Sequence, residues 1–391
     1  MDISIYFEPI DAESFRIEDD LPRKRLCDEI TSYQKKGSFP DLENIDIVFF
    51  GVKEDRQSIN NEGCSNGPDL ARKYLYHLFQ GNYKTRVADL GNINQGYSID
   101  DTYFAVSSVV AALLEDKITP IIIGGSQDLT YAQYKGYENL GQIINMIAID
   151  SRFDLGKYQD NINSQSYLSK IILHQPNYLF NFTNLGYQTY FIDQDAITLM
   201  QQLFFDTYRL GKVRENPEEV EPIVRNGDLL SIDVSAIRQS DAPGNGNASP
   251  NGFQGEEMCQ IMRYAGLSDK MSSIGFYEYN PVFDKQEQTA QLIAQMIWYF
   301  IDGYYNRKND YPLKIMDDYL KFLVRVKDHS DEIVFYKSKK SERWWMEVPI
   351  ETDLMSKFDR HYMVPCSYGD YQVACEDTIP DRWWQFYHKL I

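Results

Sequence analysis

The order of apolar segments along the chain predicts an α/β fold in which a parallel sheet is covered by helices on both faces. Between residues 45 and 305, short β-rich runs alternate with segments of helical spacing, as in right-handed βαβ units. The chain has 391 residues, 43% of them hydrophobic, so it can bury one large core and still carry an extension. In sheets of this kind the chemistry collects where the strands end.

The individual elements follow from short sequence signals. Apolar, β-rich runs predict strands at 45–51, 86–90, 120–125, 146–149, 188–193, 229–232 and 272–278. Helical spacing predicts helices at 68–78, 103–114 and 286–299, the first of them with a proline near its start. Four residues fall at predicted strand ends: Gly125, Asp150, Asp233 and Glu278.

The two ends of the chain differ from this central pattern. Residues 1–44 are acidic and polar, with a possible helix around 21–33, and from about 306 onward the βα rhythm is lost. A strand-like run remains at 332–336. We therefore divide the chain into an N-terminal acidic extension (1–44), an α/β domain (45–305) and an aromatic-rich C-terminal extension (306–391).

Charge and composition exclude several classes of protein. A formal net charge of −19 disfavours general binding to nucleic acid or to anionic lipid. The N-terminus lacks the pattern of a signal peptide, and no apolar run approaches the roughly 18 residues of a membrane span. The five cysteines form no CxxC pair, so neither disulfides nor a zinc site are indicated. We expect a cytoplasmic protein without direct membrane insertion.

The stretch Asp150-Ser-Arg-Phe-Asp154 is the most informative one for function. Its two carboxylates lie four residues apart after an apolar run, and Asp233 follows a second such run. Clusters of this kind usually indicate hydrolytic metal chemistry. Here, however, the cation Arg152 stands where a ligand is expected.

Several segments resemble, in order, the ureohydrolase superfamily of arginases, agmatinases and formimidoylglutamases. They are Asn61-Glu-Gly-Cys-Ser-Asn-Gly-Pro-Asp-Leu-Ala-Arg72, Ile123-Gly-Gly-Ser-Gln-Asp128, Ile149-Asp-Ser-Arg-Phe-Asp154, Ser231-Ile-Asp-Val-Ser235 with Asp241-Ala-Pro-Gly244, and Gly275-Phe-Tyr-Glu-Tyr-Asn-Pro281. The resemblance implies a three-layer α/β/α sandwich with a mainly parallel eight-stranded sheet. It also implies a relation to degenerate formimidoylglutamase-like proteins of Bacteroidetes-type bacteria, and through them a link to envelope secretion or gliding machinery.

Enzymes of that family use two Mn²⁺ ions to form a hydroxide that attacks a guanidinium-type carbon. The six family ligand positions fall on Gln127, Asp150, Arg152, Asp154, Asp233 and Ser235. Three carboxylates match, but both histidines are replaced, and an arginine cannot bind a metal because it stays protonated. We predict that Arg152 fills the former metal position, pairs with the carboxylates there and leaves the chain without a metal cofactor.

The resemblance also assigns a substrate site. Glu278 falls on the family's guanidinium-binding carboxylate, and together with Asp241 and Asn280 it forms our set of candidate binding residues. A second interpretation keeps a metal: an oxygen-only site for Mg²⁺ or Ca²⁺. Its donors would be Asp128, Asp150, Asp154, Asp233 and Asp241.

Two similar tetrads in the C-terminal extension suggest a protein interface, since Trp and Arg dominate interface hot spots. The candidates are Arg343, Trp344, Trp345, Arg382, Trp383 and Trp384. In the alternative interpretation the extension wraps the α/β domain and buries these tryptophans.

These observations favour a catalytically inactive member of the superfamily, a pseudoenzyme with a protein-binding or scaffolding role. We expect no catalytic residue, a protein partner and a possible homo-oligomer. Two alternatives stay open. One is a Mn²⁺-dependent hydrolase of linear amidines or guanidines, and the other is a metal-free sensor of a guanidino ligand.

Overall fold

The computed structural model describes residues 2–11, 15, 24–35, 37–84, 86–156, 162–312, 316–327, 332–350 and 355–390. Its first sheet contains β1 (Thr31–Ser32), β2 (Ile47–Lys53), β3 (Val87–Asn94), β4 (Thr119–Ile123), β5 (Ile144–Ile149), β6 (Leu179–Tyr187), β7 (Asp206–Arg209), β8 (Leu229–Asp233) and β9 (Ser273–Tyr277). Its second sheet contains β10 (Tyr319–Arg325), β11 (Glu332–Ser338), β12 (Trp344–Glu347) and β13 (Met363–Cys366).

The described helices precede, connect and follow these strands. They are α1 (Leu26–Glu29), α2 (Gly67–His77), α3 (Ile99–Glu115), α4 (Leu129–Asn139), α5 (Tyr167–Leu173), α6 (Gln194–Gln202), α7 (Leu210–Glu215), α8 (Val220–Arg225), α9 (Gly255–Leu267), α10 (Gln288–Tyr305), α11 (Met355–Phe358), α12 (Tyr368–Cys375) and α13 (Asp381–Leu390). None of them combines the length and apolarity needed to cross a membrane.

The large sheet is parallel and has the strand order β1-β3-β2-β4-β9-β8-β5-β6-β7. Alternate residues of a strand enter different cores: Phe49 packs on the side of α9 and α10, whereas Val48 and Phe50 pack on the side of α3. Successive side chains of a strand point to opposite faces of the sheet, and here both faces are apolar, so helices cover both of them. The predicted α/β sandwich is confirmed.

The described part of this sheet has nine strands rather than eight, because the segment before residue 45 adds β1. Thr31 pairs in parallel with Ala88 of β3, and Tyr33 donates its backbone N–H to Asp89 at 2.8 Å. This pairing also limits the helix expected around 21–33. Residues 21–23 lie outside the described part, and the helical residues beyond them form only the single turn α1 before the chain extends.

One predicted strand was wrong. Residues 188–193 contain a 3₁₀ turn at Thr189–Phe191, and the strand lies earlier, in β6. β6 carries buried Asn181, Thr183 and Asn184, so its sequence does not read as a continuous apolar run.

The C-terminal extension builds its own small core around an antiparallel sheet with the order β10-β11-β12-β13. The predicted strand at 332–336 is β11. Trp344 from the sheet and Trp383 and Phe386 from α13 belong to one buried cluster.

Charged side chains fix this extension to the α/β domain near the amino ends of β7 and β8. The buried Arg225 donates to the carbonyl oxygens of Trp344 at 3.1 Å and Cys366 at 3.3 Å. Arg360 pairs with Asp228 at 2.5 Å, and Lys389 pairs with Asp206 at 3.0 Å. The carboxyl ends of the strands, where the candidate site lies, face the other way.

Candidate functional site

Three carboxylates meet at the carboxyl ends of two neighbouring strands. β5 and β8 pair in parallel, so the residues that follow them share one edge of the sheet. One carboxylate oxygen from each of Asp150, Asp154 and Asp233 lies within 4.8 Å of the others, and all three residues are buried. The sequence placed these residues at strand ends, and the topology turns that placement into a cluster.

Backbone geometry holds the cluster in place. Asp150 Oδ1 accepts a hydrogen bond from the N–H of Arg152 at 2.8 Å, and Asp233 Oδ1 accepts one from the N–H of Ser235 at 2.6 Å. Asn184 donates to the carbonyl oxygen of Arg152 at 2.9 Å. Apart from a hydrogen bond between their own carboxyl groups, Oδ2 of Asp150 and Oδ2 of Asp154 have no partner in the described part of the chain.

Burial controls the charge of this cluster. It raises the pKa of Asp154 and of Asp233 to about 7, and it raises that of Glu278 to about 8. Burial and repulsion from Asp154 hold the pKa of Asp150 well above its usual range. A carboxyl kept from water and close to like charges binds its proton more tightly. The cluster alone therefore retains protons at neutral pH.

Arg152 does not occupy the centre of this cluster, which differs from our prediction. Its guanidinium lies 4.4 Å from the ring centroid of Phe191. Among the described residues, no carboxylate oxygen comes within the 4.0 Å of an ion pair with it. Stacking on the ring leaves the half-buried cation partly hydrated, which avoids the cost of burying it fully. From there it still lowers the pKa of Asp150 and Asp154 electrostatically.

Gln127 and Ser235, the other two replaced ligand positions, are engaged by the protein itself. Gln127 donates through Nε2 to Ser231 Oγ at 2.8 Å and through its backbone N–H to Glu278 Oε1 at 2.9 Å. Ser235 lies in the 3₁₀ turn after β8 that Asp233 caps. The residues present therefore do not fit a six-ligand centre for two Mn²⁺ ions. What remains is the set of three carboxylates, together with Gln127 Oε1, which is buried and has no hydrogen-bond partner among the described residues.

Glu278 is surrounded by donors from its own chain. Its carboxylate accepts hydrogen bonds from Asn61 Nδ2 at 2.7 Å and Ser58 Oγ at 3.3 Å, in addition to the one from Gln127. Its backbone adopts a left-handed φ of 64°, and Asn245 binds its carbonyl oxygen at 2.8 Å. The carboxylate that the resemblance assigns to a guanidinium is thus satisfied internally and only 2% exposed.

The other two candidate binding residues tie loops together. Asp241 accepts from the N–H of Gly255 at the start of α9 and from Arg238 Nε, both at 2.8 Å. Asn280 donates to the carbonyl oxygen of Asn61 at 3.1 Å and accepts from the N–H of Val282 at 3.0 Å. Both side chains therefore have structural partners, and Asp241 is not a member of the carboxylate cluster.

Most of the aromatic tetrads lie inside the protein, which corrects their assignment to a partner interface. Trp344, Trp345 and Trp383 are 8%, 1% and 2% exposed, because they form the core of the extension and its contact with the α/β domain. Arg343 pairs with Asp310, and Arg382 pairs with Glu219 and Asp370. Trp384 alone among these six candidates keeps a large exposed fraction, 39%.

Sequence reasoning missed the residues that hold the site. Phe191, the platform for Arg152, lies in the run that we assigned to a strand. Asn61 opens the Gly-Pro segment but gave no signal of its contact with Glu278. Tyr103 donates to the buried Asp128 at 2.6 Å, and burial raises the pKa of that carboxyl to about 6.

Comparisons with known proteins agree with this geometry. The family model described as "Arginase family" matches residues 45–302. The chain is 22% identical to the formimidoylglutamase of Lysinibacillus sphaericus over 297 residues, which covers 73% of this chain and 90% of that protein. It is 24% identical over 257 residues to the formimidoylglutamase of Staphylococcus aureus, covering 61% of this chain and 79% of that one.

Solved structures show the same fold. The formimidoylglutamase of Bacillus subtilis superposes with a TM-score of 0.66 at 19% identity, covering 75% of this chain and 96% of that chain. The Mn²⁺-containing formiminoglutamase of Trypanosoma cruzi gives 0.65 at 18% identity, covering 73% and 99%. Fold, motif order and family match lead to one conclusion: this chain belongs to the arginase family.

Proposed function

We propose that this chain is a catalytically inactive member of the arginase family whose role is to bind another protein. The observation that carries the proposal is the state of the three replaced ligand positions. Gln127 bonds to Ser231, Arg152 stacks on Phe191, and Ser235 belongs to the turn after Asp233. Each position makes contacts within the protein, although Gln127 Oε1 is buried without a hydrogen-bond partner among the described residues.

The remaining groups support the same proposal. A hydrolase of this family requires a metal-bound hydroxide, and the imidazoles that complete the metal centre are absent. Glu278, the group expected to bind a guanidinium, already accepts three hydrogen bonds from the protein. The same satisfied carboxylate argues against the alternative of a metal-free guanidino sensor.

A binding role is supported by the surface of the extension. Trp384 stacks on His388, which stacks in turn on Phe204 of the α/β domain, with centroid distances of 5.6 and 5.5 Å. Phe204 is 49% exposed. Exposed aromatic groups of this kind are enriched in protein interfaces. Comparing captured proteins for the unchanged chain and Trp384→Ala, with Leu199→Ala as the control, tests whether one partner depends on this stack.

Metal analysis tests the catalytic half of the proposal. The protein, purified with Mn²⁺ present and then dialysed, is expected to retain no stoichiometric metal and to release no urea, ammonia or formamide from arginine, agmatine or formiminoglutamate. The matched variant Gln127→His/Arg152→His/Ser235→Asp restores the family ligand types and should gain Mn²⁺. Stoichiometric Mn²⁺ together with turnover in the unchanged chain would overturn inactivity.

A second candidate function has one observation in its favour. One oxygen from each of the three carboxylates lies within 4.8 Å of the others, and Oδ2 of Asp150 and of Asp154 has no partner in the described chain beyond the neighbouring carboxyl group. Such a donor set suits one hard cation such as Mg²⁺. A hydrolase working with one ion is therefore the alternative. It predicts turnover that depends on Mg²⁺ and disappears in Asp233→Asn.

A further inference from the structure

Strand β10 is an edge of the small sheet with apolar side chains in solvent. It pairs with β11 on one side, and it stands at the end of the strand order. Leu320 and Leu323 are 47% and 59% exposed. An exposed edge strand with apolar residues is a template for pairing with another chain.

The hydrogen bonds show which backbone groups of β10 are available. The N–H of Lys339 donates to the carbonyl oxygen of Asp318 at 2.8 Å, in the same register as the β10–β11 ladder. Bonded and non-bonded pairs alternate along an antiparallel ladder, so even-numbered residues of β10 face β11. The odd-numbered ones face outward: Tyr319, Lys321, Leu323 and Arg325.

These outward groups have no hydrogen-bond partner in the part of the chain that the structure describes. The next outward N–H, that of Lys327, donates to Asp377 Oδ1 at 3.2 Å, which marks where the open edge ends. Between Tyr319 and Arg325, no described group outside β11 bonds to the backbone of β10. The open edge is therefore seven residues long, and four of these residues direct both their N–H and their C=O outward.

We infer that two copies of this chain associate by pairing β10 with β10, antiparallel, around a two-fold axis at Phe322. In this register Tyr319 lies opposite Arg325 of the partner subunit, and Lys321 lies opposite Leu323 of the partner subunit. All four outward residues then exchange backbone hydrogen bonds. The neighbouring registers place Lys321 opposite its own copy or opposite an arginine, so like charges disfavour them.

Side chains on the other face of β10 complement this register. Phe322 lies at the axis opposite its own copy, and Leu320 lies opposite the valine at position 324. Phe322 already packs on Trp344 and Tyr371, with ring centroids at 5.1 and 5.4 Å. The second phenylalanine extends that aromatic cluster and covers Leu320. Lysine at a strand edge often prevents pairing, but here each cation faces an uncharged side chain.

This association is independent of the proposed inactivity, and sedimentation equilibrium of the full chain tests it. The unchanged protein is expected to show twice the chain mass. Leu323→Lys puts a cation opposite Lys321 of the partner subunit twice per dimer, so self-association should weaken about tenfold. Adding Lys321→Glu to that variant sets opposite charges across both of these pairs in this register, whereas each neighbouring register sets like charges opposite each other at its axis, two glutamates at position 321 or two lysines at position 323. The double variant should therefore recover the dimer.

Controls separate loss of pairing from loss of folding. Leu199→Lys changes an equally apolar leucine, 41% exposed on α6, and should leave the mass unchanged. Leu323→Pro removes an N–H that faces the partner and spares the β11 ladder, so it should yield a monomer with the original thermal transition. A monomeric unchanged chain at about 100 µM, or a mass insensitive to Leu323→Lys, overturns the inference. So does a double variant without recovery.

Discussion

The guanidinium of Arg225 lies 4.3 Å from the ring centroid of Trp345, so the last residue of α8 stacks on a strand of the C-terminal sheet. The same arginine bonds to two carbonyl oxygens of that sheet and to Glu221 at 2.9 Å. One buried cation thus supplies polar and aromatic contacts across the junction. The extension is held as part of the core rather than tethered to it.

Replacing Arg225 by Met should therefore destabilise the whole protein. The change leaves buried carbonyl oxygens without donors, and we expect the free energy of unfolding to fall by about 3 kcal/mol or more. Urea titration followed by tryptophan fluorescence measures it. Arg225→Lys keeps the charge but loses the planar set of guanidinium donors, so its free energy of unfolding should lie between those of Arg225→Met and the unchanged chain. Equal stability of Arg225→Met and the unchanged chain would show that the junction contributes nothing.

Stability of the metal-free protein should depend on pH in an unusual direction. Asp154 and Asp233 keep their protons up to a pKa of about 7, and Glu278 up to about 8, whereas unfolded carboxyls lose theirs near pH 4. The folded state therefore binds more protons between these limits. The stabilisation is complete at low pH and is lost as the pH rises toward 8, by about 1 kcal/mol per pH unit for each such carboxyl.

Chemical unfolding in EDTA between pH 5 and 8 measures this dependence. Asp154→Asn removes one titrating group and should flatten the slope, while Asp317→Asn in the extension should leave it unchanged. The neighbours Asp150 and Asp128 also have a raised pKa and act in the same direction, and Arg152 opposes them. Stability that rises over this interval would contradict the protonated cluster.

Removal of Arg152 should favour cations at the carboxylate cluster. Its charge lowers the pKa of Asp150, Asp154 and Asp233, and the same field repels a divalent ion. With Arg152→Ala, calorimetric binding of Mg²⁺ should strengthen about tenfold. Arg209→Ala removes an exposed arginine at the end of β7 and serves as the control. An equal effect of both variants would mean that only net charge matters.

Gly125 is required by a close approach of the backbone. A Cβ at this position would lie 1.7 Å from the carbonyl oxygen of Glu54, and the carbonyl of Gly125 accepts the N–H of Glu278 at 2.8 Å. Gly125→Ala should cost about 3 kcal/mol of stability or more and displace Glu278. Gly211→Ala in α7, where the nearest atom is 3.7 Å away, should be neutral or stabilising. Thermal unfolding compares them.

The sequence correctly predicted the buried strands that consist of continuous apolar runs. β5, β8 and β9 lie within a residue or two of their expected positions, since strands buried on both faces have no polar alternation to obscure them. β6 was misplaced because Asn184, one of its buried polar residues, serves to hold the Asp150 loop. From sequence alone, a polar residue such as asparagine indicates a turn, because its distant hydrogen-bond partner becomes known only from the fold.

In the candidate site, too, features set by the local sequence were predicted, and features set by distant residues were not. The positions of Asp150, Asp154 and Asp233 follow from strand ends, a property of the local sequence. The position of Arg152 depends on Phe191, which a separate loop supplies, and the state of Glu278 depends on Asn61, which is 217 residues away. Charge complementarity alone suggested a central arginine, but desolvation and an aromatic surface outside the motif favoured another place for it.

The pairing of β1 with β3 has a practical consequence. A fragment limited to residues 45–302, the part that matches the family, would lack β1 and leave the backbone edge of β3 open to solvent. It would also lose Ile3, Phe7 and Ile10 from the two cores that flank this edge. The short acidic segment before residue 45 therefore covers an edge of the sheet that the family region alone would leave open to pairing with another chain.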